Sequence, residues 1–206
     1  MASFLSCLGW LLAPTRKIVD LRNRGDAMRR GAFLRSWNLN HFRFEVVAAV
    51  LLVLASRYFS LGVPVYVRLL ATLYALSRCN EIAYAFYRDA LSRLGAEPAG
   101  SDLSAVDRIR MAMRSYVSLG LNFAAIYYFM PVSGLFNKPP TNFFDAIYFS
   151  GVTLSTLGYG DILPMRALSK ALAMYEVFSG ILLVGVAIAT YLGSASGSKS
   201  SSSSTS

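Results

Sequence analysis

The residues of this chain with the most distinctive chemistry lie in one short segment, Thr156–Asp161, with the sequence Thr-Leu-Gly-Tyr-Gly-Asp. A cation gives up its water only where other oxygen atoms replace it, and backbone carbonyls are held more rigidly than long side chains. Successive carbonyls can face one axis if the chain alternates between ordinary and left-handed dihedral angles, which glycine adopts at little steric cost. Gly158 and Gly160 have the required spacing, and Thr156 can add a hydroxyl oxygen. The segment is therefore chemically suited to a loop whose backbone oxygens bind a cation.

This segment resembles the selectivity filter of potassium channels, in which backbone carbonyls replace the hydration shell of K⁺. The resemblance implies four such loops around one axis, and since the chain carries a single copy, it implies a homotetramer. The filter residues that it implies, with K⁺ at the first four, are Thr156, Leu157, Gly158, Tyr159 and Gly160. Asp161 is expected at the outer mouth, where its charge attracts cations, and the ring of Tyr159 is expected to brace the loop from outside.

Leu157 departs from the family pattern, which most often has valine at this position. Its side chain is expected behind the filter, so the change bears on the tightness of selectivity more than on conduction. The alternatives to a potassium-selective channel are a poorly selective monovalent cation channel and a non-conducting regulatory membrane subunit. A plain surface turn is disfavoured, because an aromatic-rich helix and a long apolar helix are predicted on either side of the motif.

The composition is that of a membrane protein, with 55% hydrophobic residues in 206, against ~45–50% in soluble domains on a narrower count. The net charge of +9 is concentrated near membrane segments, so it favours anionic lipid over nucleic acid as a partner. Neither Cys7 nor Cys79 has metal-ligand spacing, and no nucleophile–base pair or phosphate loop is present. We therefore expect no enzyme activity, no small-molecule substrate, no nucleic acid, and no cofactor besides the permeant K⁺.

Three helices are predicted to hold the loop in place. The first, an outer helix, begins at the capping-box pattern Ser104–Asp107 and runs to Met130. Asn142 can cap a short pore helix over about Phe143–Leu154, which is too short to span a bilayer and is expected to be re-entrant. The third, an apolar inner helix, is predicted at about Leu168–Leu192.

The resemblance extends over roughly Arg114–Gly193 and is close to bacterial two-helix pore domains, through Gly160–Pro164 and then Glu176 and Gly180. Glu176 is an acid within a membrane helix and hence a functional candidate. It could support the filter from behind, influence ions in the cavity, or be a peripheral carboxylate bonded to a neighbouring subunit. Gly180 could be a gating hinge or a point of close helix contact.

Two further membrane helices are predicted before the pore domain, at about Phe44–Val63 and Val65–Tyr87. The second is interrupted by charges, among which Arg78 and Glu81 fall side by side on a helix. A helix lying in the membrane plane is the alternative for this segment. Its arginines are ten residues apart and form no stripe, so voltage sensing is not expected.

The predicted fold is thus an all-α membrane protein with four transmembrane helices and a re-entrant pore helix. The predicted parts are a basic cytoplasmic segment 1–43, two membrane helices in 44–87, a connector 88–114, the pore domain 115–193 and a disordered Gly/Ser-rich tail 194–206. By the positive-inside rule both termini are expected in the cytoplasm, and a bacterial inner membrane is the favoured plasma membrane. The basic run Arg16–Arg43 is expected to bind anionic lipid.

Overall fold

The computed structural model describes residues 27–58, 62–94 and 103–202. These residues form five helices: α1 Ala27–Tyr58, α2 Val65–Leu94, α3 Ala105–Phe129, α4 Phe143–Leu154 and α5 Ala167–Ser202. Within these ranges the only β-type pairing is an isolated antiparallel bridge between Phe136 and Pro164. The predicted all-α class is confirmed.

Helix α3 lies at the centre of the chain and contacts each of the other four helices. Its inward residues Leu119, Phe123 and Ile126 are fully buried. It begins where the sequence predicts, because the Ser104 hydroxyl accepts a hydrogen bond from the Asp107 amide at 3.1 Å. The other four helices therefore pack around one buried helix, α3.

The carboxyl end of α3 is held by α2. The Arg68 guanidinium donates to the carbonyls of Phe129 and Met130, both at 3.2 Å. These are among the carbonyls that a helix end leaves without an intrahelical partner, and a cation is favoured beside them. An arginine that interrupts an apolar segment of the sequence thus stabilises a helix terminus.

Helix α1 begins well before the predicted membrane segment, at Ala27 rather than Phe44. The additional turns lie along α3, where Arg35 forms an ion pair with Asp107 at 2.9 Å and Asn38 donates to the Ser115 hydroxyl at 3.0 Å. Basic residues do not prevent a helix, and these contacts give its early turns a partner. Helix α2 likewise continues past the predicted Tyr87 to Leu94.

The charges of α2 are paired across two helices. Arg78 donates to Glu81 at 2.5 Å, as the sequence predicts, and also to Glu45 of α1 at 3.0 Å. Both Arg78 and Glu45 are buried. Partnering offsets much of the cost of holding charges away from water.

Among the described residues, Gly31–Ser56 and Ala167–Ala189 are long and apolar enough to cross a membrane. Helices α2 and α3 carry more charge, and their spanning stays a prediction, as does the alternative of an in-plane α2. Helix α2 does pack against both α3 and α5. The Tyr175 hydroxyl of α5 donates to Asn80 of α2 at 2.6 Å.

Helix α5 continues to Ser202, whereas the sequence predicts disorder from Ser194 onwards. Adding a residue to an existing helix costs far less than starting a new helix, so the long apolar part can extend into the serine-rich part. Predictions for residues 1–26, 59–61, 95–102 and 203–206 lie outside the described residues.

Candidate functional site

The short helix α4 has the predicted bounds and is capped reciprocally at its start. The Asn142 side chain accepts from the Asp145 amide at 2.9 Å, and the Asp145 carboxylate accepts from the Thr141 amide at 3.1 Å and its hydroxyl at 2.6 Å. Partial burial opposes ionisation of Asp145, but the hydrogen bonds from Thr141 and Asn142 outweigh it, so the pKa of this carboxyl lies below its usual value. The start of α4 is fixed by its own sequence.

Helix α1 also holds this end of α4. The first amide of the helix, that of Phe143, donates to the Ser56 hydroxyl at 3.1 Å. The first amides of a helix lack intrahelical acceptors, so this bond satisfies a group that would otherwise need water or a cap. The N-terminal half of the chain thus reaches the element that leads into the loop.

Helix α4 ends in a pair of hydrogen bonds that turn the chain into the loop. The Leu157 amide donates to the Val152 carbonyl and the Thr156 amide donates to the Thr153 carbonyl, both at 3.0 Å. This is the Schellman arrangement, whose left-handed residue is usually glycine. Here that residue is Thr156, with φ of 60°, the only non-glycine residue with positive φ in the described ranges.

Left-handed dihedrals then recur at every second residue of the loop. Thr156, Gly158 and Gly160 have φ of 60°, 56° and 79°, and the residues between them do not have positive φ. Such alternation turns successive carbonyls towards the same side of the chain, which β-type dihedrals alone would not do. The two glycines have the expected conformation, and Thr156 adds a third position with positive φ, which residue type alone does not indicate.

Within one chain the loop is open. All residues from Ser155 to Asp161 are exposed, Leu157 by 61% and Tyr159 by 68%. The Tyr159 ring is parallel to that of Tyr148 at 6.5 Å, and the Tyr148 hydroxyl interacts with Asp161. Among the described residues, Tyr148 thus stacks on Tyr159, but Leu157 and most of the Tyr159 ring stay uncovered within one chain.

A strap joins the segments before α4 and after the loop. The Asn137 amide donates to the Leu163 carbonyl at 3.1 Å, and the Asn137 side chain accepts from the Leu163 amide at 2.6 Å. The Met165 amide donates to the Leu135 carbonyl at 2.8 Å, and this carbonyl also accepts from the Ser169 hydroxyl at 2.7 Å. These bonds fix the position of the residues after Asp161 relative to the segment before α4.

Behind the loop, Glu176 of α5 joins three helices. One carboxylate oxygen accepts from the Tyr127 hydroxyl of α3 at 2.7 Å, and the other lies 2.5 Å from the Ser150 hydroxyl of α4. Glu176 and Ser150 have no exposed surface. Of the roles that the sequence leaves open for Glu176, this position is geometrically suited to supporting the filter.

Gly180 lies one turn further along α5, against the last turn of α4. A Cβ atom there would lie 2.7 Å from Cδ1 of Leu154, closer than side-chain atoms approach one another. The carbonyl of Leu154 in turn accepts from the Tyr116 hydroxyl at 3.3 Å. The geometry favours close helix contact at Gly180, and a hinge remains a prediction.

The sequence alone does not identify four residues of the site: Tyr116, Tyr127, Asn137 and Ser150. Their roles depend on contacts between residues distant in the chain. One usable signal existed: a lone acid in an apolar helix, such as Glu176, requires hydrogen-bonding partners, and tyrosine and serine are suitable ones.

Residues 115–194 match the family described as an ion channel. The two-pore potassium channel 1 of Arabidopsis thaliana is 34% identical over 89 residues, which are 43% of this chain and 23% of that protein. The calcium-gated potassium channel TvoK of Thermoplasma volcanium is 45% identical over 49 residues, 24% and 14% of the two chains. The inward rectifier potassium channel Kirbac3.1 of Paramagnetospirillum magnetotacticum is 39% identical over 56 residues, 27% and 18%.

The similarity to these relatives is confined to one segment, since this chain covers less than a quarter of the length of each. No solved structure matches the chain significantly.

Proposed function

Since residues 115–194 form a domain of the pore-loop potassium-channel family, we propose that the chain is one of four identical subunits that conduct K⁺ selectively across a membrane. The proposal is carried by the loop Thr156–Gly160, where left-handed dihedrals at alternate residues let the backbone oxygens line one side. Rings of such oxygens can replace the hydration shell of an ion. Ion flow is passive, and the family is one of channels rather than of enzymes.

A fourfold assembly is supported by what one chain leaves uncovered. Leu157 and Tyr159 are more than half exposed, and so are Phe178 and Ile181 on the apolar face of α5. A neighbouring copy can cover these side chains while its own loop completes the ring. A native mass or cross-linking measurement on the solubilised protein should give a tetramer, and a stable monomer would contradict the assembly.

The electrostatics of the loop favour a cation at both ends. Helix α4 ends at the loop, and its carboxyl end carries the negative end of the helix dipole. Asp161 adds an exposed carboxylate on the other side of the loop. A cation entering from the outer mouth therefore meets negative charge before and after the rings of Thr156, Leu157, Gly158 and Tyr159.

The test is a flux assay on purified protein in liposomes with K⁺ or Na⁺ gradients. We expect K⁺ flux that greatly exceeds Na⁺ flux, and its loss in Gly158→Ala. A Cβ atom at residue 158 meets nothing within 4 Å in one chain, but φ of 56° strains any other residue. Gly62→Ala is the matched control, because Gly62 also has free space but no positive φ.

The two alternatives are separated by the same assay. Comparable fluxes of K⁺ and Na⁺ would favour a poorly selective cation channel, for which Leu157 is the relevant departure from the family pattern. No flux from correctly assembled protein would favour a non-conducting regulatory subunit. The relatives cited above are potassium channels by name, which favours the selective channel.

The ion-channel family and the apolar helices place the protein in a membrane. We further propose a bacterial inner membrane, cytoplasmic termini and anionic lipid as the partner of the basic run Arg16–Arg43. Within its described part, Arg43 is exposed and Arg35 is paired with Asp107. Replacing the arginines of this run by glutamine should weaken binding to anionic liposomes at low salt, and unchanged binding would reject the lipid proposal.

A further inference from the structure

The hydroxyl of Ser150 lies between two oxygen atoms that both require its hydrogen. It is 2.5 Å from Oε1 of Glu176 and 2.8 Å from the carbonyl of Gly120. A serine hydroxyl has one hydrogen to donate and can accept others. If it donates to Gly120, its contact with Glu176 must use a hydrogen from Glu176. If it donates to Glu176, the Gly120 oxygen at 2.8 Å receives at most a share of that same hydrogen.

The second oxygen of Glu176 does not supply the missing hydrogen. It accepts from the Tyr127 hydroxyl at 2.7 Å, so both neighbours of an ionised Glu176 would act as donors to it. That leaves the Ser150–Gly120 contact without a hydrogen of its own. A carboxylic acid removes the conflict, because Glu176 then donates to Ser150, Ser150 donates to Gly120, and Tyr127 donates to Glu176.

Within the described part of the chain, Glu176 has no cationic partner that could compensate a negative charge. Its side chain is fully buried, and no arginine or lysine in the described ranges forms an ion pair with it. An ionised carboxylate placed there would lose its hydration and gain only neutral donors in exchange.

We propose that Glu176 is a neutral carboxylic acid that donates its hydrogen to Ser150, and that it thereby fastens the inner helix α5 to the pore helix α4. The protonation of Glu176 does not depend on the proposed function. Only its consequence does, namely that the Glu176–Ser150 hydrogen bond positions the filter. Glu176 and Gly180 are one turn apart on α5, and their partners Ser150 and Leu154 are one turn apart on α4. The two helices thus touch at two successive turns, through the Glu176–Ser150 hydrogen bond at one and the Gly180–Leu154 apolar contact at the other. Glu176 is a positioning residue, since it does not touch the ion path.

The first test compares Glu176→Gln, Glu176→Asp and Glu176→Ala in the full-length reconstituted protein. The glutamine amide can donate to Ser150 while its oxygen accepts from Tyr127, so it reproduces the hydrogen bonds of the neutral acid. We expect Glu176→Gln to keep the thermal midpoint and the ratio of K⁺ to Na⁺ permeability. Glu176→Ala should lower the midpoint by at least about 5 °C, since it leaves buried polar groups without partners. Aspartate is too short to reach both partners and should resemble alanine.

The second test detects the hydrogen itself. The difference infrared spectrum of the wild type minus Glu176→Gln should contain the carbonyl stretching band of a protonated carboxylic acid, shifted when the hydrogen is exchanged for deuterium. A carboxylate band in its place would overturn the proposal. So would a Glu176→Gln protein as unstable as Glu176→Ala, because a side chain that cannot ionise would then have failed to replace the original.

The outcomes are separable from the failure of the proposed function. A protein that assembles but passes no ions contradicts the channel proposal, while its infrared spectrum and the midpoints of its variants still decide the state of Glu176. If flux is selective and the acid band is absent, the channel proposal stands and the neutral acid does not.

Discussion

Gly180 and Leu154 approach one another so closely that a Cβ atom on residue 180 would lie 2.7 Å from Cδ1 of Leu154. The contact joins α5 to the last turn of α4, directly before the strained Thr156. The inner helix therefore packs tightly against the end of the pore helix, where the loop begins.

The first prediction separates the two roles of Gly180. Gly180→Ala forces Cδ1 of Leu154 to move, and because Leu154 is buried, the variant should be destabilised even though alanine is about 1 kcal/mol better than glycine within a helix. If the contact is the cause, Leu154→Ala should rescue Gly180→Ala in a thermal unfolding experiment. If Gly180 is instead a hinge, Leu154→Ala should not rescue Gly180→Ala, and opening of the pore should be impaired in the single variant and in the double variant. Gly185→Ala is the matched control, because a Cβ atom there meets nothing within 4 Å.

The second prediction concerns the strain at Thr156. A threonine with φ of 60° has a conformation that costs on the order of 1–3 kcal/mol, and glycine relieves that cost. Thr156→Gly should therefore raise the thermal midpoint by a few degrees while reducing K⁺ flux, since it removes the hydroxyl oxygen. Thr156→Ser keeps the hydroxyl and should conduct better than the glycine variant. Equal stability of the wild type and the glycine variant would contradict the assignment of strain.

The third prediction concerns the acidic cap of α4. The pKa of Asp145 is lowered by hydrogen bonds from Thr141 and Asn142, which outweigh the opposing effect of burial. Its stabilising effect is therefore present above the pKa of the unfolded chain and is lost as the pH falls through the lower pKa of the folded protein. Thermal midpoints measured from pH 7 to pH 3 should fall more for the wild type than for Asp145→Asn. Parallel curves would show that this carboxylate does not contribute.

The fourth prediction concerns the buried charge cluster of α1 and α2. Arg78 neutralises Glu45 and Glu81, and one oxygen of Glu45 has no hydrogen-bond partner. Arg78→Met should cost about 3–5 kcal/mol, because it leaves the buried Glu45 and the half-buried Glu81 without their cation. Arg43→Met on exposed surface should cost less than about 0.5 kcal/mol. Equal effects of the two substitutions would indicate that the cluster is open to water.

Features that depend on neighbouring residues were predictable from the sequence. Asn142 caps α4 and the pore helix has the predicted bounds, because a cap, a helix and a glycine pair are encoded within a few positions. The pairing of Arg78 with Glu81 followed from helical spacing alone. Filter residues were assigned by resemblance, and their ion-binding role stays a prediction.

Features that depend on the distance between helices were not predictable. Glu45 meets Arg78 across two helices, and Gly180 meets Leu154 across a loop, so neither contact has a local signature. The start of α1 at Ala27 was missed because an arginine-rich stretch is compatible with both loop and helix until its partner, here α3, is known.

The strap formed by Leu135, Asn137, Leu163 and Met165 has a practical consequence for labelling. Lys138 and Pro139 follow Asn137 directly in the chain and are exposed, and neither forms one of the bonds that hold the two chain segments together. An epitope inserted between these two residues should leave those bonds intact. Antibody staining of intact cells would then show on which side of the membrane Lys138 and Pro139 lie. Because the insertion is outside the loop Thr156–Gly160, it should leave ion flux unchanged.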